Sequence, residues 1–348
     1  MTTATDSLPA NLVFDGHNDV LLRIWKAGGD AASRFLTGEQ GGHIDIPRAR
    51  KGALGGGLCA IYVPSERVED AEGNWPTPPR AEAADITLQM AGLLMRLERE
   101  GDGAVTMCRS AAEIRAAMAR GSFAAVMHIE GVEAFAADLD LLHVLHAAGL
   151  RSLGPVWSRP NIFAFGVPFR FPSSPDIGPG LSKAGKDLVR ACNALKVMVD
   201  LSHMNDAGFW DVAAISDAPL VASHSNAHAL CQHSRNATDR QLDAIRDTGG
   251  LVGINFGVGF LHEKGERDTA LPLEQMVRHV DYIVNRIGIE HVALGSDFDG
   301  TTIPAAIGDA AGLPALVAAL EAGGYRGDDL ARITHGNWLR VLEATWGA

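Results

Sequence analysis

The chain has 348 residues, 47% hydrophobic and 21% charged, an ordinary soluble globular composition with room for one large α/β domain or two smaller ones. Its formal net charge of −12 argues against nucleic acid as a partner, because no Lys/Arg run could neutralise phosphates. Residues 1–9 lack a basic region and an apolar core, so no secretory signal is read there. Pro304, Gly308, Asp309, Gly312 and Pro314 break the longest apolar stretch, so no membrane span or membrane partner is expected. Cys59, Cys108, Cys192 and Cys231 are widely spread with no C-x-x-C spacing; reduced, buried thiols and a cytoplasmic location are the expectation.

Short β-branched or apolar runs recur at 12–16, 57–63, 123–129, 149–156, 196–202, 219–223, 249–255 and 290–296. Segments of helical periodicity lie between most of them, at 82–100, 110–120, 181–195, 205–215, 239–247 and 273–287. Eight strands alternating with helices predict a (β/α)8 TIM-type barrel forming a single domain over 1–348. A doubly wound sheet is the rival, but no G-x-G-x-x-G follows the first strand, and Gly55-Gly56-Gly57 precedes one. The excess over the roughly 250 residues typical of such barrels is assigned to extended loops after the second strand (64–80) and the fourth (158–179), both rich in Pro and Gly.

In a barrel of this kind the carboxyl ends of the strands converge on one mouth, where the chemistry is sought. The first strand ends in Asp15-Gly16-His17-Asn18-Asp19, where the period of an extended chain sends His17 and Asp19 to the same side. The third ends in Glu130-Gly131, the fifth in His203, the sixth in His224 and the eighth in Asp297-Phe298-Asp299-Gly300. Singly, such a carboxylate often caps a helix and such a histidine is more often a structural hydrogen-bonder than a ligand. Three histidines and three acids at corresponding ends of five strands are hard to obtain from independent capping, and together they read as a metal site. Neutral imidazole nitrogen and carboxylate oxygen both suit Zn²⁺-like ions. His17, Asp19, Glu130, His203 and His224 are enough for two ions if Glu130 bridges them. Two ions about 3.5–4 Å apart can share a hydroxide and make it a nucleophile at neutral pH.

The runs Asp15-Gly-His-Asn-Asp19, Ile129-Glu-Gly131, Asp200-Leu-Ser-His203, Ser223-His-Ser225, Ser234-Arg-Asn236, Ser296-Asp-Phe-Asp-Gly300 and Gly336-Asn-Trp-Leu-Arg340 occur in that order. This arrangement resembles the renal (membrane) dipeptidase family of the amidohydrolase superfamily, from about residue 12 to residue 345. The resemblance implies two Zn²⁺ per chain, one on His17 and Asp19, the other on His203 and His224, with Glu130 bridging. It also implies that Arg235 contacts the substrate's carboxylate or carbonyl and that Asp297 exchanges protons with the water and the leaving amine. An Arg fork suits a free C-terminus, since it donates two parallel hydrogen bonds to a carboxylate. Without the resemblance, Arg235 would read as a salt-bridge partner and Asp297 as a helix cap or turn residue.

Two departures from the family pattern bear on specificity. The substrate-facing histidine of the family's fourth strand falls at Trp157, with Asn161 a few residues on as a candidate polar substitute. After Asn255-Phe256, where mammalian members place a tyrosine, this chain has Gly257. The expected reaction is hydrolysis of the amide bond of dipeptides, including those with a C-terminal D-residue, by a metal-bridging hydroxide. The alternative is an N-acyl amino acid or another small non-peptide amide. A metal-binding barrel without turnover is disfavoured, because all five ligands and the proton-shuttling Asp are present. The partner is a small peptide or amide, and a homodimer is a candidate assembly because such barrels often dimerise.

Overall fold

Residues 8–38, 40–65 and 75–347 are described by a computed structural model. Among the described residues there are nine strands: β1 (Val13–Asn18), β2 (Leu54–Tyr62), β3 (Val105–Met107), β4 (Phe123–Glu130), β5 (Leu150–Gly154), β6 (Met198–Val199), β7 (Val221–Ala222), β8 (Leu251–Ile254) and β9 (Val292–Leu294). Every ladder is parallel. One sheet runs β1-β2-β4-β5-β6 and a second β7-β8-β9. Single parallel bridges close the ring, Asp200 to Val221 between β6 and β7 and Asn18 to Phe298 between β1 and the segment after β9. The expected (β/α)8 barrel is present.

The interior has an apolar floor and a polar roof. Phe14, Leu58, Val126, Met198, Val221, Leu251 and Ala293, one from each of seven barrel strands, pack with Trp338 of the C-terminal helix Asn337–Trp346. The indole donates to the Leu294 carbonyl at 2.8 Å. It also explains Gly16, where a Cβ would lie 2.2 Å from the indole ring and 2.7 Å from the Ser223 carbonyl oxygen. The second, larger core lies between the strands and the surrounding helices. Helix starts follow side-chain caps: Ser110, Ser182, Asn205 and Thr238 each accept from a backbone N–H of the next turn, Thr238 in a reciprocal box with Gln241.

The structure adds one strand to the expected eight. β3 has three residues, too few for a period of two to register, and pairs with Phe123–Ala125 of β4 below the point where β5 joins. Several barrel strands are shorter than their apolar runs; β6 keeps only Met198 and Val199 of 196–202. Residues 155–182, between β5 and the helix Lys183–Leu195, carry neither helix nor strand apart from a bridge of Gly166 to Met204. Much of the expected loop after the second strand lies outside the described residues. No helix among the described residues is long and apolar enough to cross a membrane.

Candidate metal centre

Strand β4 shows how the mouth is built. Its inward positions read Ala124, Val126, His128 and Glu130: the first two join the apolar floor and the last two rise towards the opening. One oxygen of Glu130, Oε1, lies 2.9 Å from His203 Nε2, 3.4 Å from His224 Nε2 and 3.6 Å from His17 Nε2. His17 Nε2 is in turn 3.5 Å from Asp19 Oδ2. The His17 and His224 rings stack at 3.8 Å, and the Nε2 atoms of His203 and His224 are 3.1 Å apart. All five side chains are buried. Of the five expected ligands, spread over more than two hundred positions, the three histidines thus converge on Glu130, and Asp19 joins them through His17.

The backbone leaves regular strand geometry to achieve this. The β1–β2 register shifts between Asp15 and Asn18, and a local irregularity of this kind re-aims side chains. Asp19 sits at the N-terminus of the helix Val20–Ala27 without capping it with its side chain, so its carboxylate stays with His17. His203 and Asp297 adopt φ of +67° and +58°, a left-handed conformation that costs a non-glycine residue about 1–3 kcal/mol and gathers at functional sites. Gly300 permits the closest approach: a Cβ there would lie 2.1 Å from Asp19 Oδ2 and 2.4 Å from Asp297 Oδ1.

The electrostatics suit a cation. Burial pushes Glu130 well above the usual carboxyl range, with Asp19 and Asp297 adding to the rise and His17 opposing it. Burial likewise raises Asp297 to about 7, against the pull of His17. Burial would lower His17, but Glu130, Asp19 and Asp297 outweigh it and hold the imidazole up to about 10. His203 and His224 are held neutral by burial and by the neighbouring Arg235 and His17. A divalent ion bound among these side chains would compete with protons for the same carboxylate and imidazole atoms. Among the described residues neither ring nitrogen of His17, both buried, has a hydrogen-bond partner. Ligand-capable atoms of His17, Glu130 and His224 form one close group and those of His17, Asp19 and Asp297 another, so these residues fit a divalent metal.

Around the cage lie groups that could meet a substrate. Arg235 is buried; it donates to the His224 carbonyl at 3.2 Å, its Nε has no hydrogen-bond partner among the described residues and its guanidinium lies 5.7 Å from the Phe260 ring centre. Burial lowers it to about 10, against Asp297, Glu130 and Asp200, so it stays charged at neutral pH. Trp157 stands 5.8 Å from the His203 ring and packs on Tyr62, Trp75 and Phe169 at 5.1, 5.3 and 5.4 Å. Phe169 continues this wall to Phe260. Behind it the Arg159 guanidinium, 5.3 Å from both Tyr62 and Trp157, pairs with Glu133 at 2.8 Å with neither side chain exposed.

The hydrogen bonds of the Asn161 side chain stay within its own loop: its amide donates to the Pro155 carbonyl and accepts from the N–H groups of Phe163 and Ala164. A Cβ at Gly257 would meet the Phe260 ring at 2.7 Å and Asn255 Oδ1 at 2.9 Å. Sequence reasoning missed Asn255, at the end of β8, which donates to Asp297 Oδ2 at 2.9 Å. A polar residue closing an apolar run was the available signal. It also missed Asp15, which ties β1 to the segment after β9 by accepting from the Ser296 backbone and hydroxyl at 2.6 and 2.8 Å.

A parallel α/β barrel whose strand ends gather buried histidines and carboxylates is the architecture of a metal-dependent hydrolase of the amidohydrolase type. The profile of the membrane dipeptidase family, peptidase family M19, matches residues 2–346, and the chain belongs to that family. A crystal structure of dipeptidase AC, a metallo peptidase, is 50% identical and has a TM-score of 0.94, covering 98% of this chain and 100% of that one. A metallo peptidase from Rhodobacter sphaeroides, liganded with a phosphinate mimic of the dipeptide L-Ala-D-Ala, is 49% identical with a TM-score of 0.93 over 98% of this chain and 100% of that one. Dipeptidase tcpJ of Claviceps purpurea is 30% identical over 332 residues, 94% of this chain and 76% of that protein. The chain is thus an enzyme of the metallo-dipeptidase class.

Proposed function

We propose that this protein hydrolyses the amide bond of dipeptides at a binuclear zinc centre, including dipeptides with a C-terminal D-residue. The observation that carries the reading is the convergence of three imidazole Nε2 atoms on one Glu130 oxygen at 2.9, 3.4 and 3.6 Å. His17 and Asp19 would hold one ion, His203 and His224 the other, with Glu130 between them. Bound there, zinc would acidify a water and polarise the scissile carbonyl.

The remaining chemistry belongs to the chain's own side chains. Asp297, held by the Asn255 amide, is the general base: it takes the proton of the attacking water and returns it to the amine as the C–N bond breaks. Arg235, whose buried Nε has no partner among the described residues, donates to the C-terminal carboxylate. Trp157 and its aromatic neighbours form an apolar side to the mouth and exclude water from one flank of the substrate. The phosphinate dipeptide mimic held by the Rhodobacter sphaeroides metallo peptidase supports a dipeptide, and its D-Ala supports tolerance of a D-residue.

The test pairs metal analysis with a panel of L,L-dipeptides, L,D-dipeptides and N-acyl amino acids. Two zinc ions per chain and turnover confined to dipeptides are expected. Fewer than about one and a half metals per chain would break the binuclear reading, and preferential cleavage of N-acyl amino acids would move the substrate class.

A further inference from the structure

Deeper in the barrel, beneath the cage, lies a second polar layer. Asp200 follows β6 at the bridge that joins β6 to β7. Its Oδ1 accepts from the backbone N–H of Ser223 at 2.8 Å and of Ser202 at 3.1 Å. Its Oδ2 accepts the hydroxyl of Ser223. The same Ser223 oxygen lies 2.8 Å from His224 Nδ1. Asp200, Ser223 and His224 are all buried.

A hydroxyl has a single hydrogen, and a carboxylate can only accept. Ser223 spends that hydrogen on Asp200, so towards His224 it can only accept. The proton of the neutral imidazole is therefore on Nδ1, and the lone pair is on Nε2, the atom that faces Glu130. His203 differs: Ser158 Oγ lies 2.7 Å from its Nδ1, and among the described residues no carboxylate stands behind that hydroxyl to fix its direction.

We infer that Asp200 and Ser223 are positioning residues that lock His224 in its metal-ligating tautomer through a carboxylate–hydroxyl–imidazole relay. The inference rests on the reading of His224 as a ligand. It makes an unusual demand on an isosteric change. In Asp200→Asn the amide oxygen keeps the two backbone N–H bonds, so the amide NH₂ faces Ser223. Ser223 must then turn its hydrogen to His224 Nδ1, which drives the imidazole proton onto Nε2. Deletion of the hydroxyl in Ser223→Ala merely frees the tautomer.

The experiment titrates the metal-free full chain with Zn²⁺ against a chelating indicator. It also reads imidazole tautomers from ¹⁵N shifts, with the His224 signals assigned by their loss in His224→Ala. Supporting tautomers of ligating histidines typically contributes about 10- to 100-fold in metal affinity. About 10-fold weaker binding of one ion is expected in Ser223→Ala and about 100-fold in Asp200→Asn, with the His224 proton on Nδ1 in the parent and on Nε2 in Asp200→Asn. Parent-like affinity in both variants, or an Nε2 proton in the parent, overturns the relay. If Asp200→Asn fails to fold, Ser223→Ala still decides, since it leaves the Asp200 backbone bonds in place. Zinc affinities unchanged in His224→Ala would overturn the ligand reading and the relay with it, an outcome distinct from loss in His224→Ala alone.

Discussion

The cage and the aromatic wall share one mouth but are built by different means. His17, Glu130, His203 and His224 stand on or just beyond strand ends, where the parallel ladders set the spacing between neighbouring chains. Trp75, Trp157, Phe169 and Phe260 come from segments outside the strands and meet through ring contacts 5.3 to 6.1 Å apart. A ligand moved by one ångström loses its ion, whereas rings in a wall can re-pack. Under the proposed function, chemistry falls to the rigid part and substrate choice to the adaptable part.

Substitutions can break or sharpen that contrast. The largest effect is expected from Glu130→Gln, which removes the oxygen shared by three histidines: turnover should fall by about 10⁴-fold or more and zinc content should drop, measured by kcat and metal analysis. Asp297→Asn should keep its zinc yet lose about 10²- to 10⁴-fold in kcat, because a proton acceptor is removed while the ligands stay; unchanged kcat would move the role elsewhere. Arg235→Ala should raise KM by about 10- to 100-fold for dipeptides with a free carboxylate, the equivalent of a charged hydrogen bond. An equal loss on amidated dipeptides would refute the clamp. Trp157→Leu is the mildest: bound zinc should be unchanged, and KM should shift by about 10-fold or less across side chains, in keeping with aromatic contacts of about 0.5–1.5 kcal/mol. Loss of metal in that variant would erase the distinction between wall and cage.

The cage was legible because barrel geometry converts a one-dimensional rule, polar residues closing apolar runs, into a three-dimensional meeting. Asn161 was harder to read: an Asn in a loop often bonds its own backbone, as here to Pro155, Phe163 and Ala164, and no spacing in the sequence signals those bonds. Asn255 obeys the strand-end rule but carries no ligand or acid signal, since an amide is neither a usual ligand nor an acid. The Arg159–Glu133 pair behind Trp157 had no local signal, because its partners lie 26 residues apart across two loops.

From the order of residues alone came the alternation of strands and helices, the ring of strand ends and the identities of the five candidate ligands, all consequences of short-range periodicity. Tertiary structure decided the rest: which oxygen of Glu130 the imidazoles share, the left-handed turns at His203 and Asp297, the wall around Trp157 and the Ser223 hydroxyl between Asp200 and His224. Those features depend on contacts between segments far apart in the chain, and a hydrogen bond or ring contact is set by tenths of an ångström that no spacing of letters encodes.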